Sequence, residues 1–289
     1  MESPALLIYN EPKLTRAKMI IGLSGWMDGG DVSTGVIEQL SERLNAKEFA
    51  EIDPEEFYIY NFPGSMEISA LFRPHVKLED GMVTEYAEPS NEFYCSEEHQ
   101  LILFSGKEPN LRWNEYAECL FEIAEHYGVS TIWFVGSVAG TVPHTKAPRF
   151  FASVSDEKMK ELFDRFQLKP SNYEGPASII THMMTFARDR GIAMGSLVAE
   201  IPAYVQGRNI KCIAAAAEKI CAILDIEIDL DDLKIVSQEF DKRLTETAKK
   251  RPELAELIRK MELEYDKEQL QYREEDLRAW FEKQNLRLN

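Results

Sequence analysis

Three basic side chains crowd into six positions of GSVAGTVPHTKAPRF (136–150): His144, Lys146 and Arg149. The chain around them is acidic, with a net charge of −17 over 289 residues. Such a cluster can hold a carboxylate or a phosphate, or meet an acidic partner. The plainer alternative is a surface loop whose charges are solvated or paired with local acids. A further stretch, GLSGWMDGGDVSTG (22–35), places glycines between an apolar run and an amphipathic one, where many proteins cradle phosphate. A Walker-type cradle needs GxxxxGK[ST], and no lysine follows here; the G-x-G-x-x-G dinucleotide pattern is also unmet. Asp28 and Asp31 are placed to cap the next helix and complement its dipole, which puts carboxylates where an anion would sit. Trp26 and Met27 suggest a contact surface or a loop laid over the sheet edge.

Other chemistries find little support. Neither GLSGW nor GSVAG fits the G-x-S-x-G nucleophile elbow. His75, His99, His126, His144 and His182 are scattered without HxxxH or HExxH spacing, so no metal site is expected. His182 reads as a packed histidine beside Met183 and Met184, and Glu174 as a cap before Gly175-Pro176. Cys95, Cys119, Cys212 and Cys221 show no CxxC spacing and read as reduced core thiols of a cytoplasmic protein. The acidic balance repels a phosphate backbone, which argues against nucleic acid as a partner. No apolar run approaches the ~18 residues of a membrane helix, and the first residues lack the basic and apolar regions of a signal peptide.

The elements that must position these residues alternate in period. ALLIY (5–9), MIIGL (19–23), FYIYNF (57–62), LILFSG (101–106), STIWFVG (130–136), FFASV (150–154) and MGSLVAEIP (194–202) read as strands. MVTEY (82–86) and EFYCS (92–96) are expected to pair as a hairpin. Helix faces recur at Val32–Leu44, at Trp113–Tyr127 closed by Gly128, around 156–166, from Gly175-Pro176 to Gly191, at Ile210–Leu224 and at Leu230–Leu244. Strand–helix alternation predicts an α/β fold: a doubly wound, mostly parallel sheet with helices on both faces. Ligands in such sheets bind beyond the carboxyl ends of the strands, so loops 24–31, 105–110, 136–149 and 202–208 are the ones to inspect.

Composition changes near 245. Residues 1–245 carry nearly all the net charge, whereas 246–289 are close to neutral and hold no glycine. The chain divides into an α/β core, 1–245, and a charged C-terminal helical extension, 246–289. Leu254, Ile258, Met261, Tyr265 and Tyr272 stand at near-heptad spacing, interrupted by Glu268, with Trp280 and Phe281 beyond. That stripe must dock on its own core or on another subunit.

GWMDGGDVSTG, FVGSVAGTVPHTKAPR, YEGPASI (173–179) and AEIPAYVQG (199–207), in this order over about 1–245, resemble the proteasome assembly chaperone family, its bacterial and archaeal branch above all. The resemblance implies a fold similar to purine nucleoside phosphorylase. It also implies a chaperone-like or assembly function through protein partners, with homo-oligomers as in archaeal members. Some members carry an ATP-grasp label, for which this sequence has no nucleotide motif, and no cofactor is expected. Members that dock on the proteasome end in hydrophobic–tyrosine–any residue, whereas this sequence ends Leu286-Arg287-Leu288-Asn289, so proteasome docking is not expected. The expected function is non-catalytic and rests on protein–protein contact. The alternative is a small-molecule enzyme, a hydrolase or an ATP-grasp-like ligase, working at the strand-end loops.

Overall fold

The computed structural model describes the backbone of residues 3–283 and the side chains of residues 3–270. The side chains of Tyr272, Trp280 and Phe281, and the terminus 286–289, lie outside the described residues. In chain order the elements are β1 (Leu6–Ile8), β2 (Lys18–Ser24), α1 (Val32–Arg43), β3 (Lys47–Ile52), α2 (Met66–Ala70), β4 (His75–Glu79), β5 (Met82–Ala87), β6 (Glu92–Ser96) and β7 (Leu101–Lys107). They continue with α3 (Trp113–His126), β8 (Thr131–Gly140), β9 (Arg149–Val154), α4 (Glu161–Phe166), β10 (Lys169–Pro170), α5 (Ile179–Ala187), β11 (Ala193–Pro202), α6 (Ile210–Leu224), α7 (Asp231–Lys249) and α8 (Pro252–Lys283).

Nine strands form one sheet in the order β1-β3-β6-β7-β2-β8-β11-β9-β10. Its centre, β7-β2-β8-β11, is parallel. The flanks β1-β3-β6-β7 and β11-β9 run antiparallel, and β9-β10 is parallel again. Successive side chains of a central strand point to opposite faces. Ile132 and Phe134 of β8 join the core under α3 and α5, and Trp133 and Val135 join the core under α1 and α6. The helices that follow β2 and β7 thus lie on opposite faces, the doubly wound arrangement expected.

Several local expectations are corrected. Residues 57–62 form no strand. Phe57 and Tyr58 are buried because the loop is anchored side-on. Phe57 packs edge-to-face on Tyr116 at 5.2 Å, and Tyr58 Oη donates to Lys107 O at 2.6 Å beside Asn91 Oδ1 at 2.7 Å. EFYCS does not pair with MVTEY; it enters the main sheet between β3 and β7 as β6. MVTEY, as β5, pairs instead with β4 across Asp80-Gly81, both at positive φ (50° and 80°), the backbone a two-residue hairpin turn requires. The helix expected from Gly175-Pro176 starts only at Ile179. Ser178 Oγ accepts from Thr181 N, and Glu108 Oε1 accepts from Ile179 N at 3.0 Å, so a cap further along sets the start. β8 also continues through Ser137–Gly140, which the sequence places in a loop.

The tail's direction is visible. α7 runs unbroken through residue 245, and α8 follows two residues after it. Ile258 and Met261 are buried within this one chain, where α8 packs on α7, so the near-heptad stripe docks in cis over its described part.

Candidate functional site

The C-terminal ends of β2 and β8 are knitted by the glycine turn. Ser137 N donates to Met27 O at 2.8 Å, Ser137 Oγ to Gly29 O at 2.6 Å, and Asn209 N, at the start of α6, to Gly30 O at 2.8 Å. Gly30 holds φ at +65°, a backbone that favours glycine. The carbonyls of this turn therefore face neighbouring elements. Its helix N-terminus is filled from within: Asp28 Oδ1 accepts from Ser33 N at 2.7 Å and Thr34 N at 3.2 Å, and Asp28 Oδ2 from Thr34 Oγ1 at 2.8 Å. Burial raises the Asp28 carboxyl above its ordinary value, against the lowering effect of these bonds. Asp31 stands at the helix start with φ +52°, exposed, and its side chain makes no cap bond. Trp26 is 62% exposed at the tip of the turn, above a shallow recess with Met27, Glu108, Phe134 and Ile180.

His144, Lys146 and Arg149 meet at the ends of β8 and β11. The loop reading fails for two of them: His144 is 3% exposed and Arg149, the first residue of β9, is 8% exposed. Arg149 is in register with Glu200 of β11, and its Nε lies 3.0 Å from Glu200 Oε2. That approach is off the N–H axis, so it is a charge contact rather than an aligned hydrogen bond. Glu200 Oε1 accepts from Thr141 N at 2.7 Å. It also leaves no room at Gly140, where a Cβ would stand 2.1 Å from it.

The His144 ring is held in one tautomer. The Thr245 hydroxyl gives its one proton to Asp241 O at 2.8 Å and so accepts from His144 Nε2–H at 3.0 Å; Nδ1 of the neutral ring then accepts from Tyr204 Oη at 2.7 Å, which itself accepts from His144 N at 2.8 Å. Burial lowers the histidine's pKa, and the nearby Lys211 adds to that; Asp241 and Glu262 oppose it. Lys211 bridges His144 O and Asp241 Oδ2, the latter at 2.7 Å.

α8 lies across these groups with acids turned down. Asp266 takes Lys146 at 2.7 Å, Glu268 takes Arg149 and, at 3.4 Å, Lys169, and Glu262 accepts from Thr145 Oγ1 at 2.5 Å. Tyr265 Oη donates to Ala147 O at 3.2 Å, its ring 5.2 Å from the Arg149 guanidinium. Glu268, the break in the apolar stripe, is thus the residue that meets the buried arginine.

The crevice left between these groups, floored by Cys212 and Phe240, has room for about one water molecule. Burial pushes the Cys212 thiol up to about 12, which leaves no thiolate nucleophile near neutral pH. All four cysteines are free and buried. Among the described residues no three His, Cys, Asp or Glu side chains converge on a metal-sized point, and no helix is long and apolar enough to cross a membrane.

The structure therefore joins His144, Lys146 and Arg149 but leaves Trp26 in a separate recess and Asp31 in solvent, with Asp28 between as a cap. Sequence reasoning missed Glu200, Tyr204, Lys211 and the acids of α8. Glu200 had a signal, an acid inside the otherwise apolar strand MGSLVAEIP; Lys211 and Asp241 had none.

The PAC2 family model matches residues 22–248. A proteasome-assembly chaperone homologue from Mycobacterium tuberculosis is similar in structure, with 26% identity, TM-score 0.72, and 83% of this chain and 99% of that one covered. Another M. tuberculosis protein, of unknown function, has TM-score 0.83 at 20% identity over 96% and 94% of the two chains. An archaeal proteasome activator from Pyrococcus furiosus, PbaB, has TM-score 0.62 at 22% identity over 86% and 99%. A search of functionally curated proteins gives no match.

Proposed function

The chain belongs to the PAC2 family, and from that premise we propose that it is a cytoplasmic, chaperone-like assembly factor that acts through contact with other proteins, copies of itself included, rather than by catalysis. One observation carries the reading. The place where an α/β sheet ordinarily takes a small ligand is closed by the chain's own side chains and covered by α8, with space for about one water molecule. In this reading residues 1–245 are the working body and 246–289 a helical cover. Lys146 and Arg149 are the points by which the cover is held, and Trp26 belongs to a contact surface. Buried, unpaired thiols suit a reducing compartment.

The test pairs two measurements on the full chain. Light scattering of a heat-aggregating client should fall when the protein is added at equimolar ratio. Phosphate release from Mg-ATP should stay at the buffer rate. ATP turnover that disappears on Gly30→Ala, with no effect on the client, would replace this reading with the enzymatic one.

A further inference from the structure

α8 is attached in two different ways along its length. Its first turns bury Ile258 and Met261, where it packs on α7. After Met261 no described side chain of α8 is buried. From there on its described contacts with the body are polar. Glu262 meets Thr145, Tyr265 meets the Ala147 carbonyl, Asp266 meets Lys146, and Glu268 meets Arg149 and Lys169. The Tyr265 ring also lies 5.2 Å from the Arg149 guanidinium and 5.9 Å from Lys146 Nζ, in reach of cation–π contact. Asp266 and Glu268 keep 56% and 45% of their side chains in water. Ion pairs placed like this add little each, and salt screens them.

Letting this second stretch go leaves few groups stranded beneath it. Arg149 keeps Glu200, its partner across the sheet. Lys146 and Lys169 are already partly exposed and can hydrate fully. His144 stays held by Tyr204 and by Thr245 of α7. Detaching Ile258 and Met261, by contrast, would return apolar surface to water. The weak point therefore falls between Met261 and Glu262. Residues 246–289 are close to neutral, so the strong negative charge of 1–245 neither draws nor repels them as a whole. The local pairs decide how firmly the helix is held.

We propose that α8 beyond Met261 is a strap that opens over the C-terminal ends of β8 and β11, moored by charge alone, while Ile258 and Met261 stay docked as its anchor. The proposal rests on the reading of 246–289 as a cover and adds a condition to it: the strand ends can meet another protein only while the strap is open. A charged helix undocked from its support is marginal in water, so opening exposes its backbone amides to exchange.

The test is hydrogen exchange on the full chain, read by mass spectrometry in low and high salt. Screening shortens from ~30 Å at about 0.01 M to ~3 Å at about 1 M. Amides 262–270 should exchange at least about fivefold faster at the higher salt, relative to the buried helix α3, the loss of roughly one such pair's worth of holding. Amides of α7 should not follow. Lys146→Ala with Lys169→Ala removes two moorings at partly exposed positions. It should make 262–270 fast already at low salt and remove most of the salt response. Glu256→Gln breaks only a pair within α8, with Arg259, and should leave the response as in the wild type. Exchange at 262–270 that ignores salt overturns the proposal. So does a full salt response in the double lysine variant, or an α7 that loosens by the same factor. Neither the client assay nor ATP turnover reads this opening, so the strap and the assembly reading can fail separately.

Discussion

At the C-terminal ends of β8 and β11, charge is answered by charge inside one chain. Arg149 has Glu200 and Glu268, Lys146 has Asp266, and Lys211 has Asp241. In the β4–β5 arm, the described residues leave much of the apolar surface open. By residue type alone, the strand ends resemble a place for a ligand, whereas MVTEY reads only as half of a small hairpin. The structure reverses that emphasis. Cationic side chains announce binding only until their partners are found, whereas apolar side chains left exposed across two paired strands remain an open demand.

The contrast can be broken most forcefully at Arg149. Its side chain and that of Glu200 are 7% and 10% exposed, so Arg149→Ala leaves a carboxylate buried with one backbone donor. A loss of about 3–5 kcal/mol in urea-induced unfolding is expected, as for other broken buried pairs. A loss under about 1 kcal/mol would mean that the region is not internally satisfied in the way described. Asp28→Ala removes the acceptor for Ser33 N and Thr34 N and should cost about 1 kcal/mol, the usual worth of a cap, by the same measurement.

A graded effect comes next, through His144. Its folded pKa is lowered by burial and by Lys211, so the unfolded chain binds a proton that the fold refuses. Stability should therefore be flat above the ordinary histidine pKa of ~6.5, fall as pH drops below it, and level off only below the lowered folded value. Asp241 and Glu262, which face the ring, oppose the effect, and Tyr204 and Thr245 occupy its two nitrogens. In His144→Gln the slope assigned to this residue should vanish from melting temperatures taken between about pH 7.5 and 5.

The smallest effects sharpen the comparison. Lys146→Ala breaks a partly exposed pair with Asp266 and should cost between 0 and about 1 kcal/mol, less at high salt. Leu78→Thr, in the arm, should change the unfolding of an isolated subunit by no more than ~0.5 kcal/mol, because that side chain touches little in its own chain. A large loss there would show that the arm is packed after all.

The doubly wound core was legible because its strands are buried on both faces and read as continuous apolar runs: MIIGL, LILFSG and STIWFVG all fall where expected. β3 was not, since KEFAEI puts glutamates on its open side and keeps only Phe49, Ala50 and Ile52 inward. FYIYNF misled because aromatic residues can be buried by anchoring a loop as well as by pairing a strand. At the strand ends, the three basic residues were legible as a cluster, but their fate was not. Their partners Asp266 and Glu268 lie more than a hundred residues away, and on an exposed helix such acids are indistinguishable from a solvated stripe. Trp26 and Asp31 were picked for exposure and charge, and nothing in the sequence says that they stand apart from the basic group.

Arg149 and Glu268 are separated by 119 residues. At roughly 5–20 residues per second of synthesis, the arginine emerges about 6–24 s before the glutamate that covers it. β11, and with it the whole central sheet, is already complete by then. Until α8 is made, Arg149 has Glu200 alone, and Lys146 and Lys169 lack the acids that meet them in the finished fold. In a chain halted after α7, Lys146 and Lys169 should react faster with an amine-modifying reagent than in the finished protein.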